Sequence, residues 1–584
     1  MWIPWNSEEH AALIEVAAGR KPPSLVIRGG QVLNVFTGRL EQKDVAVSER
    51  RIAWVGPLQE SGLLLDESVQ IVEADGLVLV PGYIEPHAHP FQLYHPVTLA
   101  EAALVRGTTV LIHDNLFFFS CMEPEEAFRL LEAMADSPVK HFWWCRFDPQ
   151  ALLSAENERL YENGRVRAFL RYPAVVQAGE LTDWLPLLEG DEKMAGWVRE
   201  AHRLGKRVEG HAPGASYRTL SRLAAAGVTG DHESITAEEV WRRLELGYMV
   251  TLRHSSIRPD LPELIRGLAD RDVPWNRLML TTDGATPPYF RNGFTDYILR
   301  VAMEAGCPPV RAYQMVTINP AIYYRMEEHI GSLAPGRIAD INLLRSLEEP
   351  TPVTVFAEGE KVAENGKLVK SMPQIDWDRF SGLQWKTDFQ MEPSHFHLPQ
   401  TAGPFPLIRL LNSVITKLEW LNDDPFVGSE EYLLVFLVDR GGKWMTPGLL
   451  AGFGREVDGI ASSYTGSGDL LVLGRDPAMM AAAANRVIGA KGGIVWMQDG
   501  NVAYELRLPI AGIMSPLSVT NLIDALEPFK QRLAVHGHPF DDPIYTLLFL
   551  SSTHLPQVRL SARGLVRIKD RKVLVSPLPG PCLR

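Results

Sequence analysis

Six side chains in this sequence are of types that bind divalent metals. They are His87 and His89 in PGYIEPHAHP, Glu180 in AVVQAGE, His211 in VEGHAPG, His232 in GDHES and Asp283 in TTDG. Imidazole and carboxylate donors suit Mn²⁺, Fe²⁺ or Zn²⁺. Alternate residues of a strand face the same way, so His87 and His89 can point to one site. Four imidazoles and two carboxylates suffice for two ions, with one carboxylate between them. Singly, each residue is ordinary: a histidine at a strand end commonly hydrogen-bonds within a loop, and an acidic residue before a helix commonly caps it. The signal is that five separate strand ends each offer such a donor.

Those strand ends belong to an alternating pattern. LVPGYIEPHAH, TTVLIHDN, HFWWCRF, AVVQAGE, RVEGHAPG, GVTGDHES, YMVTLRHS and RLMLTTDG are apolar, strand-length runs, and helical stretches such as EEAFRLLEAMA, KMAGWVREAHRLG and AEEVWRRLELG separate most of them. Eight parallel strands with helical crossovers in about 200 residues imply a (β/α)8 TIM-like barrel, whose reactive residues sit at the C-terminal strand ends. On either side lie short, glycine-broken, β-branched stretches: SLVIRGGQVLNVFTGRL, KDVAVSERRIAWVG and VQIVEADGLVLVPG before, and ADINLLRS and TPVTVFAEGEKVAENGKLV after. They predict a small β-sandwich domain built from residues 1–80 together with 330–375, enclosing a barrel at 81–329. Residues 376–400, rich in aromatics and proline, read as a linker or packed arm. Residues 401–584 bring new strands and helices and read as a C-terminal α/β domain. The whole is an α/β protein.

Composition sets bounds on partners. With 46% hydrophobic and 22% charged residues over 584 positions, the chain is globular rather than disordered. A formal net charge of −13 argues against nucleic acid as a partner. No apolar run approaches the roughly 18 residues of a membrane span. Cys121, Cys145, Cys307 and Cys582 are scattered without a CxxC pair, and residues 1–19 lack the pattern of a signal peptide. A cytoplasmic enzyme with a small-molecule substrate is the expectation, and a homodimer is the commonest assembly for such enzymes.

The ordered series PGYIEPHAHP, VEGHAPG, GDHES, TTDG, TINPA and GSLAPGRIAD resembles the signature run of the amidohydrolase superfamily. EGHAPG, DHESITAEEV and the late LPIAGIMS are similar to its adenine deaminase branch, and the likeness covers nearly the whole chain. The resemblance implies that His87 and His89 hold the more buried of two metals, that Glu180 bridges, and that His211 and His232 hold the second. It implies that Asp283 binds metal and, with Glu180, serves catalysis by handling the proton of the attacking water. The cofactor it implies is a divalent, binuclear centre, Mn or Fe ahead of Zn. The reaction it implies is adenine plus water to hypoxanthine plus ammonia. Phe91, Gln92, His113, Asp114, Arg253 and His254 are candidate substrate contacts near the barrel mouth, and Glu233 could orient His232.

The chain departs from the branch at several points. Adenine deaminases follow HxH with Ile-Glu-Ser-Ser, whereas here Pro90-Phe91-Gln92 follows. His113-Asp114-Asn115 stands where they carry Pro-His-Glu, and Asp283-Gly284 replaces a pair of aspartates. ASSYTGSGDL (461–470) lacks the family's loop histidine. Two alternatives follow: an amidohydrolase of another heterocyclic amine or cyclic amide, and a catalytically silent metal-binding paralogue.

Overall fold

Eight apolar runs, each too short for a stable helix, pair side by side in chain order, all parallel. In the computed structural model, which describes residues 5–386, 388–400, 403–421 and 431–583, they are β1 (Tyr83–Ala88), β2 (Thr108–His113), β3 (Lys140–Cys145), β4 (Val175–Leu181), β5 (Arg207–Gly210), β6 (Gly230–Asp231), β7 (Met249–Arg253) and β8 (Leu278–Thr281). Each coincides with a strand expected from the sequence. The crossovers are helical because parallel neighbours cannot be joined by a hairpin. They include Pro96–Leu104, Pro124–Ala133, Glu192–Arg203, Tyr217–Ala225, Ala237–Glu245 and Leu261–Leu268, and Asn163–Arg171 supplies the one between β3 and β4.

The barrel interior is packed from below. Ile84, Ile112, Phe142, Trp144, Met249 and Met279 share a buried cluster with Tyr323 and Tyr324. Trp144 is the floor of the mouth, its ring centroid 4.2 Å from that of His87. The seam between β1 and β8, the two ends of the strand order, is bridged by a buried carboxylate, beside a bond from Thr281 Oγ1 to the His87 carbonyl at 3.2 Å. Glu85 accepts hydrogen bonds from Thr281 Oγ1 (2.6 Å), Thr282 N and Oγ1 (3.0 Å each) and His87 N (3.0 Å). Removing an acceptor leaves each buried donor with a penalty of about 1–3 kcal/mol. Glu85→Ala is therefore expected to cost about 3–5 kcal/mol, read as a lower denaturant midpoint with unchanged slope. A variant as stable as the wild type would show that the seam is held elsewhere.

Strands from before and after the barrel form one nine-stranded sheet, in which Val78–Pro81 pairs antiparallel with Ile341–Leu344. Val45, Val47 and Ile52 from one end of this sheet share a core with Ile341, Leu343 and Phe356 from the other. This domain fastens the start of β1, one residue after Gly82. The helix Ser7–Ala17 lies on it, capped by Asn6.

The arm after residue 375 has three short 3₁₀ turns and buries Trp385, Phe389, Met391 and Phe396. Thr387 in this arm, and residues 401–402 and 422–430 in the expected C-terminal domain, lie outside the described residues. The C-terminal segment builds a second nine-stranded sheet, mostly antiparallel, with the helix Pro477–Gly489 against it and a three-stranded sheet beyond. No helix among the described residues is long and apolar enough to cross a membrane.

Candidate metal centre

The histidines converge because each lies at the C-terminal end of a barrel strand: His87 is one residue from the end of β1, and His89, His211 and His232 each directly follow a strand. His87 Nε2 and His89 Nε2 stand 3.4 and 3.3 Å from Asp283 Oδ1. Across the mouth, Glu180 Oε1 is 2.5 Å from His211 Nδ1 and 3.4 Å from His232 Nε2. Donor atoms of His87, His89 and Asp283 lie within 4.8 Å of one another, as do those of His87, Glu180 and His232. A third such group is His211, His232 and Glu233, and a fourth is His89, Asp114 and Glu180. Glu180 thus stands between the two halves of the cluster. Asp283 is held in place by a left-handed backbone, φ +44°, followed by Gly284 at +66°, where a Cβ would come within 3.0 Å of the His89 ring.

A ring of further groups orients the donors. Asp114 Oδ2 accepts from His89 Nδ1 at 3.0 Å, and Glu209 Oε1 accepts from His232 Nδ1 at 3.0 Å and lies 3.2 Å from His87 Nδ1. With Nδ1 protonated, each of these rings turns the lone pair of Nε2 toward the centre. Arg146 pairs with Asp114 and, at 2.9 Å, with Glu180 Oε2. Arg253 pairs with both oxygens of Glu233 and, at 2.7 Å, with Asp283 Oδ2.

Burial raises the carboxylates, but these partners outweigh it. Arg146 and then His89 hold Asp114 at about 2, the neighbouring histidines hold Glu209 at about 2, and Arg253 and then the histidines hold Glu233 at about 2. Glu180 and Asp283 are held well below the usual carboxylate range, by Arg146 and Arg253 respectively. Burial pushes His89 down, but Asp114 and Asp283 carry it up to about 9.

Divalent ions fit this site. Five carboxylates (Asp114, Glu180, Glu209, Glu233 and Asp283) meet two directly paired guanidiniums, with Arg258 at 3.6 Å on the edge. With the histidines neutral, as metal ligands must be, the surplus of negative charge in a desolvated mouth costs several kcal/mol per unpaired ion unless metal cations share it. The buried Nε2 of His87 has no hydrogen-bond partner among the described residues, and it faces the cluster. The donors are nitrogen and oxygen only, which suits Mn²⁺, Fe²⁺ or Zn²⁺.

The expected substrate contacts divide by strand geometry. Asp114 turns to His89, so its neighbour His113 must face the other way, where its Nε2 pairs with His141 Nδ1 at 2.8 Å. Arg253 turns to the site, and His254 turns outward against Tyr289 and Tyr297. Neither His113 nor His254 reaches the cluster. Asp114 and Arg253 are there as partners of donor residues rather than as free pocket groups. Phe91 packs edge-on against His89 and Phe117, and Gln92 accepts a hydrogen bond from Tyr464 of the C-terminal segment.

Sequence reading missed Glu209, Arg146 and the groups that reach in from the C-terminal segment. Glu209 had a local signal, standing two residues before His211 on the same strand face. Arg146 directly follows β3, at a strand end for which no metal-type donor was found.

A barrel with this donor set at its C-terminal strand ends, closed below by aromatic packing, defines a metal-dependent hydrolase of the amidohydrolase class. Residues 78–369 match the amidohydrolase family, and residues 413–572 match the adenine deaminase C-terminal domain. The chain belongs to the amidohydrolase family and, within it, to the adenine deaminases. A protein of Halalkalibacterium halodurans, provisionally named adenine deaminase, is 37% identical over 98% of each chain. One of Bacillus subtilis with the same provisional name is 36% identical over 98% of each. The adenine deaminase of Moorella thermoacetica is 30% identical over 95% of this chain and 96% of its own.

Proposed function

We propose that the protein hydrolyses adenine to hypoxanthine and ammonia at a binuclear divalent centre, Mn or Fe ahead of Zn. The observation that carries this is the converging cluster in a chain that is similar over its whole length to proteins named adenine deaminase. His87, His89 and Asp283 would hold one ion, His211 and His232 the other, and Glu180 would lie between them. Ions bound there supply Lewis-acid activation of water.

The remaining steps fall to the chain itself. Asp283, with Oδ2 fixed by Arg253, presents Oδ1 to the space in front of His87 and His89. It takes a proton from the water that adds to the amino-bearing carbon and returns it to the amino nitrogen as that carbon–nitrogen bond breaks. Trp144 below, and Phe91 with Phe117 beside, keep bulk water from the ring side of the site. The division into residues 1–80 with 330–375, 81–329, the arm 376–400 and 401–584 is part of the same proposal, supported by which strands share a sheet. A cytoplasmic location and a homodimer, the commonest assembly for such enzymes, complete the proposal.

The test is ammonia release from a panel of purines, pyrimidines and cyclic amides by metal-loaded protein. Efficient turnover of adenine is expected; turnover of another heterocycle in its place would transfer the assignment to that compound. Treatment with a chelator should abolish activity, and added Mn²⁺ should restore it. The bound ions should also stabilise the fold by about 2.7 kcal/mol when free metal is a hundredfold above its dissociation constant, read as a higher melting temperature. An unchanged melting temperature after verified metal removal would show that the cluster does not bind ions in the folded state.

A further inference from the structure

The C-terminal segment does not merely sit over the barrel: it is tied to the loop that carries Asp283. Tyr545 donates to the Gly284 carbonyl, and Thr286 Oγ1 donates to Asp542 Oδ2 at 2.9 Å. The same stretch is fastened to its own sheet, with Gly466 N donating to Leu548 O at 2.8 Å and Leu560 N donating to Leu550 O at 3.0 Å. The Leu550–Leu560 bond closes the loop that holds SSTHLP, residues 551–556, and the other bonds fix the stretch that leads into it, which together set the placement of His554.

His554 lies edge-on to the ring of His211, with centroids 5.6 Å apart. Its Nδ1 donates to the carbonyl of Gln150 at 3.2 Å, and the Gln150 side chain donates to Glu180 Oε2 at 3.3 Å. Gln150 is held for this in a left-handed conformation, φ +57°, that non-glycine residues rarely adopt. Because Nδ1 donates, Nε2 of the neutral ring is an acceptor. Nε2 has no hydrogen-bond partner among the described residues, and the residue is only partly buried.

We infer that His554 is a substrate-contacting residue: its Nε2 accepts a hydrogen bond from an N–H of the heterocycle, so that the C-terminal segment completes the site. This rests on the reading that the substrate is an N–H-bearing purine. It goes beyond that reading by assigning recognition to a residue far along the chain from the barrel. The geometry also explains why a domain without metal-type donors in the cluster is bound so closely to the strand-eight loop.

The experiment compares wild type, His554→Phe and His554→Gln, each loaded with metal and assayed for bound ions, adenine kinetics and equilibrium binding of hypoxanthine. Phenylalanine keeps the ring packing against His211 and removes the acceptor. Glutamine can donate to Gln150 and still accept. The expected result is about a tenfold rise in KM and in the hypoxanthine dissociation constant for His554→Phe, with metal content unchanged and most of the loss recovered in His554→Gln. Equal affinities in wild type and His554→Phe, or a loss that tracks missing metal, would overturn the inference and leave the proposed function standing. A wild type that neither turns over adenine nor binds hypoxanthine would overturn both.

Discussion

Asp283→Asn is expected to lower kcat about 10²- to 10⁴-fold while KM changes little. Asparagine preserves the shape of the side chain and can still accept from Arg253, which now contacts Oδ2 at 2.7 Å. What it loses is the negative charge beside His87 and His89 and the ability to carry a proton between water and the leaving nitrogen. Asp283 also belongs to the donor cluster, so the same preparation must be assayed for bound metal. Loss of kcat with metal retained supports the proton role, and full activity would refute it. Loss of both metal and kcat would reduce Asp283 to a ligand. The left-handed backbone at Asp283 and the nearness of Gly284 to His89 mean that this loop is pre-shaped. The substitution should therefore leave the fold intact, with stability within about 1 kcal/mol of wild type.

How much of this was legible in sequence depends on how far the determining contacts reach along the chain. The eight strands and most crossovers could be read because period and length are local properties. The six metal-type donors could be read because each sits at a strand end, where residue type and position together are informative. Adjacent pairs were harder. His113-Asp114 and Arg253-His254 each look like two candidates, yet on a strand neighbouring residues face opposite sides, so only one of each pair can reach the mouth. His232-Glu233 escapes that rule because β6 has already ended at Asp231, and both side chains turn inward. Contacts from the C-terminal segment had no local sign at all. The hydrogen bond from Tyr464 to Gln92 spans 372 residues of sequence, and nothing in ASSYTGSGDL marks it. The loss of a histidine there, read from sequence as a missing group, looks different once His554 is seen beside His211.

Glu209 offers the second large effect, and it tests whether the site is built by its donors or by what lies beneath them. One carboxylate oxygen serves two histidines from different strands, accepting from His232 Nδ1 at 3.0 Å and lying 3.2 Å from His87 Nδ1. Its other oxygen accepts from Gln177 Nε2 at 2.5 Å, and Gln177 Oε1 accepts from the Tyr324 hydroxyl at 2.7 Å. The chain of bonds runs from the barrel floor to His232, and the same Glu209 oxygen stands beside His87 Nδ1. Only an acceptor at this position lets both rings hold their Nδ1 protons and offer Nε2 to an ion. Glu209→Gln keeps the volume but cannot guarantee an acceptor to both rings, and it removes a buried negative charge that divalent ions would otherwise balance. Metal affinity is therefore expected to fall about 10- to 100-fold, measured by competition with a chelator of known strength. Tyr324→Phe, which breaks the bond two links below, should weaken metal binding far less, since Gln177 stays in contact with Glu209. Wild-type affinity in Glu209→Gln would mean that the histidines are oriented by strand geometry alone.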